Sequence, residues 1–197
     1  PGEITVLAMG PFTNLALAAR LDDGFAAHAR ELVFMGASFS PEVSTIDEFS
    51  LQFIHSPRVE FNCRWDPEAA SIMLKAGWKK ITCVPLDATA ATKLTPALAA
   101  RAGAGDGPAA RYFARHPSLG FPMWDEIAAA VMLDPSLVTE SLQLAVDIEI
   151  DHGASYGATL SWAAGGGPGL GEPDVTVVRR IDVPRLEELF VSLLQRR

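Results

Sequence analysis

Two groups of side chains in this 197-residue sequence have the types and spacing for oxygen and amide chemistry. In VEFNCRWDPEAA, residues 59–70, one residue separates Glu60 from Asn62. Read as an extended segment over 59–65, the period of two sends Glu60, Asn62 and Arg64 to one face and Phe61, Cys63 and Trp65 to the other. Asp66 suits an N-cap and Pro67 the first helical position, so a helix is expected to follow at once. Polar groups at such a junction cap the structure, hold a ligand, or are solvated side chains on an edge strand. In FPMWDEIAAAVMLDP, 121–135, Asp125 and Glu126 follow Trp124 at the start of an otherwise apolar helix. An acid in a first turn commonly partners the helix dipole. A helix this apolar is buried, however, so a carboxylate at its mouth faces either solvent or a cleft, with Trp124 as a flat wall for a ring-shaped ligand.

Other chemistries find little support. There is no GxSxG elbow, HExxH pair or CxxC pair, and His28, His55, His116 and His152 are scattered. The Gly-rich stretch AAGGGPGLGEPD, 163–174, has neither the GxGxxG spacing nor a following Lys-Ser or Lys-Thr, and it precedes a strand pattern, so it reads as a hairpin loop. The net charge of −8, with no stripe of Lys or Arg, argues against nucleic acid and anionic membranes as partners. Apolar runs such as IAAAVML at 127–133 fall well short of the ~20 residues that span a bilayer. Cys63 and Cys83, both in apolar strand-like patterns, read as reduced core thiols, which points to a cytoplasmic location.

The elements that must position these residues alternate. EITVLA (3–8), ELVFM (31–35) and KITCV (80–84) are short buried-strand patterns ending in turns. Helical patterns occupy 13–21, 66–78, 94–103, 124–133 and 183–195. Alternation of this kind implies an α/β fold with a mainly parallel sheet, in which ligands bind beyond the carboxyl ends of the strands. The segments after Ala8, Met35 and Val84 are therefore the places to look. LAVDIEI (144–150), ATLSW (158–162) and VTVVRRI (175–181) lack intervening helices and predict an antiparallel extension closed by the C-terminal helix. With 49% hydrophobic residues the whole of 1–197 can form one domain.

Five blocks, LAMGPFTNLALAARL, VFMGASF, VEFNCRWDPEAA, VPLDATAATKLT and MWDEIAAAVMLDPSLVT, occur in an order and spacing that resembles the inosine-uridine preferring nucleoside hydrolases. The resemblance implies hydrolysis of the N-glycosidic bond of ribonucleosides with the help of bound calcium. Glu60 and Asn62 match positions that hydrogen-bond ribose hydroxyls, and Met35 one that packs against the sugar. Asp125 matches a carboxylate ligand of calcium, and Met9 a position that gives the metal its backbone carbonyl. Trp124 stands where many members have His, which resembles a purine-preferring branch whose aromatic stacks on the leaving base. His55 lies near a position where relatives use Asn on the ribose.

Two expectations follow from the rest of the family pattern. The Asp-rich motif that supplies the general base and further calcium ligands is not found in the sequence, and Pro1-Gly2 leads directly into EITVLA, so the chain reads as the C-terminal portion of the fold. Calcium takes about 6–8 oxygen ligands, so this portion should hold it weakly or not at all and should be inactive alone. The alternatives are a non-catalytic nucleoside- or ribose-binding module and a structural fragment. Homo-oligomerisation, or association through an exposed sheet face, is also expected.

Overall fold

The computed structural model describes residues 1–40, 58–90 and 92–196. Three short strands, β1 (Thr5–Ala8), β2 (Glu31–Met35) and β3 (Ile81–Val84), run parallel, with Leu7 beside Val33 and Phe34 beside Cys83. Helices follow β1 and β3 as expected. α1 is Thr13–Leu21, and a short α2, Phe25–His28, follows it. Beyond β3 lie α5 (Leu86–Thr89), α6 (Pro96–Ala102), α7 (Pro108–Arg115) and α8 (Trp124–Leu133). α8 stops at Asp134 because the residue before a proline avoids helical geometry; its side chain instead accepts from Ser136 N and caps the next turn.

The segment 59–65 departs from the expected strand. Val59 forms an antiparallel bridge and Glu60 keeps extended geometry, but Phe61–Trp65 is a short helix, α3, followed by α4 (Pro67–Leu74). A local bond decides the matter: the Glu60 carboxylate accepts from Asn62 N and Cys63 N, satisfying two of the free amides of a helix start. Helical spacing then replaces the period of two. Asn62 and Cys63 turn inward, while Phe61 and Trp65 are exposed and meet edge to face at 5.6 Å. The expected Phe61–Cys63–Trp65 core face does not exist, and Glu60 and Asn62 are buried instead of solvated. Asp66 does cap α4, through Ala69 N.

The tail is antiparallel, with one strand placed where sequence order does not suggest. β4 (Val138–Ile148) pairs antiparallel with β5 (Thr159–Ala163) and with β6 (Asp174–Ile181), but β6 also runs parallel to β3. The sheet order is therefore β1-β2-β3-β6-β4-β5. Alternate residues of each strand enter two cores. Phe34, Cys83 and Val177 join Met73 and Leu74 on one face, and Met35, Val84 and Val178 join Ile127, Leu98 and Leu186 on the other. α9 (Val183–Leu194), capped by Asp182, closes the second face. Exposed Ile4, Leu17 and Leu21 lie by β1 and in α1, and exposed Trp65, Tyr112, Leu133 and Leu170 lie elsewhere. Among the described residues, no helix is long and apolar enough to cross a membrane.

Candidate functional site

The carboxyl ends of the parallel strands carry the site, and the end of β2 is its centre. Asn62 donates from Nδ2 to the Met35 carbonyl at 3.0 Å, with Met35 Sδ 3.5 Å away. Glu60 Oε1 accepts from Asn62 N at 2.9 Å, and Oε2 from Cys63 N at 3.0 Å and Ala37 N at 3.1 Å. One carboxylate thus caps α3 and ties it to the chain leaving β2. Met35, Glu60 and Asn62, singled out from sequence, are joined by direct bonds.

That joint demands unusual backbone. A Cβ on Gly36 would stand 3.1 Å from Phe12 Cζ and 3.3 Å from Glu60 Oε2, so only glycine lets the carboxylate approach without displacing its neighbours. Ala37 adopts φ +69° so that its N–H faces Glu60, in a region that costs a residue with a Cβ roughly 1–2 kcal/mol. Its carbonyl accepts from Leu86 N, and Asp87 takes the amides of Phe39, at 2.9 Å, and Ser40. Asp87 was not anticipated, although it follows β3 at a place the strand-end rule marks.

Electrostatics differ sharply across the site. Glu60 is 1% exposed, and burial pushes its pKa up to about 7 against the pull of three backbone amides and the Cys63 thiol. Burial also raises both thiols, Cys63 and Cys83, with the Glu60 charge adding to it; both are free cysteines. Asp125 is exposed in the first turn of α8, its carboxyl raised by the surrounding protein and by Glu126. Trp124 is half-buried beside it, edge to face with Phe121 at 6.2 Å, and packs against the cluster that contains Met35. Met9, 44% exposed, follows β1, and α8 packs against both β1 and β2. His55 lies outside the described residues.

Asp125 and the Met9 carbonyl are two oxygen donors where calcium takes about 6–8. Among the described residues, no group of three His, Cys, Asp or Glu side chains converges to hold a metal.

The six-stranded mixed sheet flanked by helices, with a polar cluster at the carboxyl ends of its parallel strands, is of the open α/β class, in which that end of the sheet is where ligands bind. The model of the family described as inosine-uridine preferring nucleoside hydrolase matches residues 1–188, and the chain belongs to that family. The pyrimidine-specific ribonucleoside hydrolase RihB of Escherichia coli is 28% identical over 171 residues, covering 81% of this chain and 50% of its own. A plant nucleoside hydrolase, PpNRh1, superposes with a TM-score of 0.80 at 26% identity, over 100% of this chain and 63% of that one. A purine-preferring ribonucleoside hydrolase from Gardnerella vaginalis shares the fold, with a TM-score of 0.77 at 22% identity over 98% and 61%. The chain spans about half the length of the curated relatives it matches.

Proposed function

We propose that the protein serves ribonucleoside hydrolysis, cleaving the bond between ribose and base, and that this polypeptide forms its sugar- and base-binding portion. The observation that carries this reading is the bonded trio of Met35, Glu60 and Asn62 at the end of β2. An ionised carboxylate offers about four acceptor positions. Oε2 accepts two backbone amides and Oε1 one, and the Cys63 thiol also bonds the carboxylate, so a ribose hydroxyl meeting Glu60 at Oε1 would share that carboxylate with the thiol or displace it. Met35 gives the sugar an apolar surface, and His55 is the further candidate for a sugar contact.

The base would lie against Trp124. An exposed acid, Asp125, sits one residue further, where it can act on the polar end of the ligand and, with the Met9 carbonyl, contribute oxygens toward calcium. Cleavage of the C1′–N bond passes its electron pair to the base nitrogen, which takes a proton, while water bonds the positively charged C1′ and releases a proton; a stacked indole favours the protonated base. Purine preference is the reading Trp124 supports, although the relatives include pyrimidine-specific enzymes. The two-donor calcium set favours a second state for the 197-residue polypeptide by itself: nucleoside binding without base release.

The test is release of free base from inosine, guanosine and uridine by the complete gene product in calcium, beside calorimetric titration of the 197-residue chain with inosine. Release by the complete product, with inosine faster than uridine, is expected. No release from any nucleoside would overturn the assignment, and calcium-dependent release by the 197-residue chain would overturn its proposed inactivity.

A further inference from the structure

The two segments that meet at Glu60 are both held by one residue of the antiparallel tail. Thr159, fully buried at the start of β5, accepts from Ser38 N through Oγ1 at 3.0 Å. Its own N–H donates to the Arg58 carbonyl at 2.8 Å. Ser38 is one residue beyond Ala37, whose amide reaches Glu60, and Arg58 is two residues before Glu60 itself. Next to Thr159, Ala158 bridges antiparallel to Val59.

The hairpin that presents Thr159 is stiff. Glu149 N donates to Ala158 O and Gly157 N to Glu149 O, both at 2.8 Å. Gly157, at φ +82°, brings the turn onto α3 and α4, where an added Cβ would touch Arg64 Cα and Pro67 Cγ at 3.4 Å. At the outer end the Tyr156 hydroxyl donates to Glu68 on α4. The β4–β5 hairpin therefore grips α3 from outside while Glu60 grips it from inside.

We propose that Thr159 is a positioning residue for Glu60 and Asn62: it fixes the separation of the β2 exit and the α3 entry across which the carboxylate must bridge. It touches no ligand, and its effect on a nucleoside rests on the function proposed above. The Thr hydroxyl matters because Ser38 N is a buried donor that uses it as an acceptor, and a hydrocarbon there removes that acceptor.

Thr159→Val keeps the shape and removes the acceptor; Thr159→Ser restores it. In the full chain, native-state hydrogen exchange at Ala37, Ser38, Asn62 and Cys63 should quicken about tenfold more in Thr159→Val than at Val177 in the sheet centre, and return to wild-type rates in Thr159→Ser. Tyr156→Phe loosens only the outer end of the hairpin and should quicken the same amides about threefold, a readout that survives if valine prevents folding. In the complete gene product, Thr159→Val should raise KM for inosine about tenfold with kcat changed less than about threefold, because positioned sugar contacts act in ground and transition states alike. Uniform exchange across all amides, no selective change in either variant, or failure of Ser to rescue would overturn the proposal. The exchange result decides the role of Thr159 even if no nucleoside is hydrolysed, an outcome that would count against the proposed function alone.

Discussion

Glu60 and Asp125 both sit at helix starts, yet their surroundings are opposite. Glu60 is wrapped by backbone amides and shut from solvent, so its charge serves to hold α3 against β2. Asp125 stands second in a helix whose N-cap, Met123, offers no side-chain bond, and the residue as a whole is exposed. The first spends most of its acceptor capacity on holding the backbone, the second is more open to its surroundings. Replacing Glu60 should therefore change stability and its pH dependence, and replacing Asp125 should change chemistry.

The largest effect tests the buried member. Its folded pKa of about 7 lies above the ordinary 4.5, so between those values the folded state binds more protons than the unfolded. Stability present below pH 4.5 is then lost as pH rises to about 7, by roughly 3 kcal/mol. Urea unfolding at pH 5 and pH 8 should show this loss in the wild type and little of it in Glu60→Gln; an equal slope in both would separate the effect from Glu60. Next comes Asp125→Asn, which in the complete gene product should lower kcat about 100-fold by removing a charge near the reacting centre. Its melting temperature should stay within about 2 °C. A large drop in Tm with full activity would make Asp125 a dipole partner like any other first-turn acid.

Trp124→Ala should reduce kcat for inosine about tenfold and for uridine about threefold or less, as stacking grows with the π surface of the base. Equal losses accompanied by a lowered Tm would reduce the indole to packing. The smallest effect sharpens the Glu60 side. Ala37→Gly removes a buried methyl but relieves the left-handed backbone, so unfolding free energy should shift by less than about 1 kcal/mol. A loss well beyond that would show that the φ of +69° costs little here.

Elements with a strong local signal were legible. α1 and α8 occupy the spans their periodicity predicts, because apolar spacing and flanking prolines act within a few residues. The segment 59–65 was misread because its decisive bond is a glutamate acting as N-cap, a residue type that composition does not mark for that task. α7 went unread although Gly107-Pro108 gives it a start signal. At the site, spacing pointed to the pairs Glu60–Asn62 and Trp124–Asp125, and the family resemblance to Met35. Sequence could not show that Ala37 and Thr159 complete the joint, since those bonds link residues 23 and 121 positions apart. His55 stays an expectation from sequence.

The placement of β6 bears on how the molecule comes into being. Thr82 of β3 lies beside Thr176 of β6, so the centre of the sheet closes only after β6 has followed β3, β4 and β5 out of the ribosome. Pairings this distant in sequence carry a large loop-closure cost and slow folding. Until then β3 offers an open edge of Ile, Thr, Cys and Val, the kind of surface that captures another strand. Synthesis therefore passes through a vulnerable interval that ends when a late strand slots between two early halves, and substitutions in VTVVRRI threaten yield of the folded protein before they threaten its catalysis.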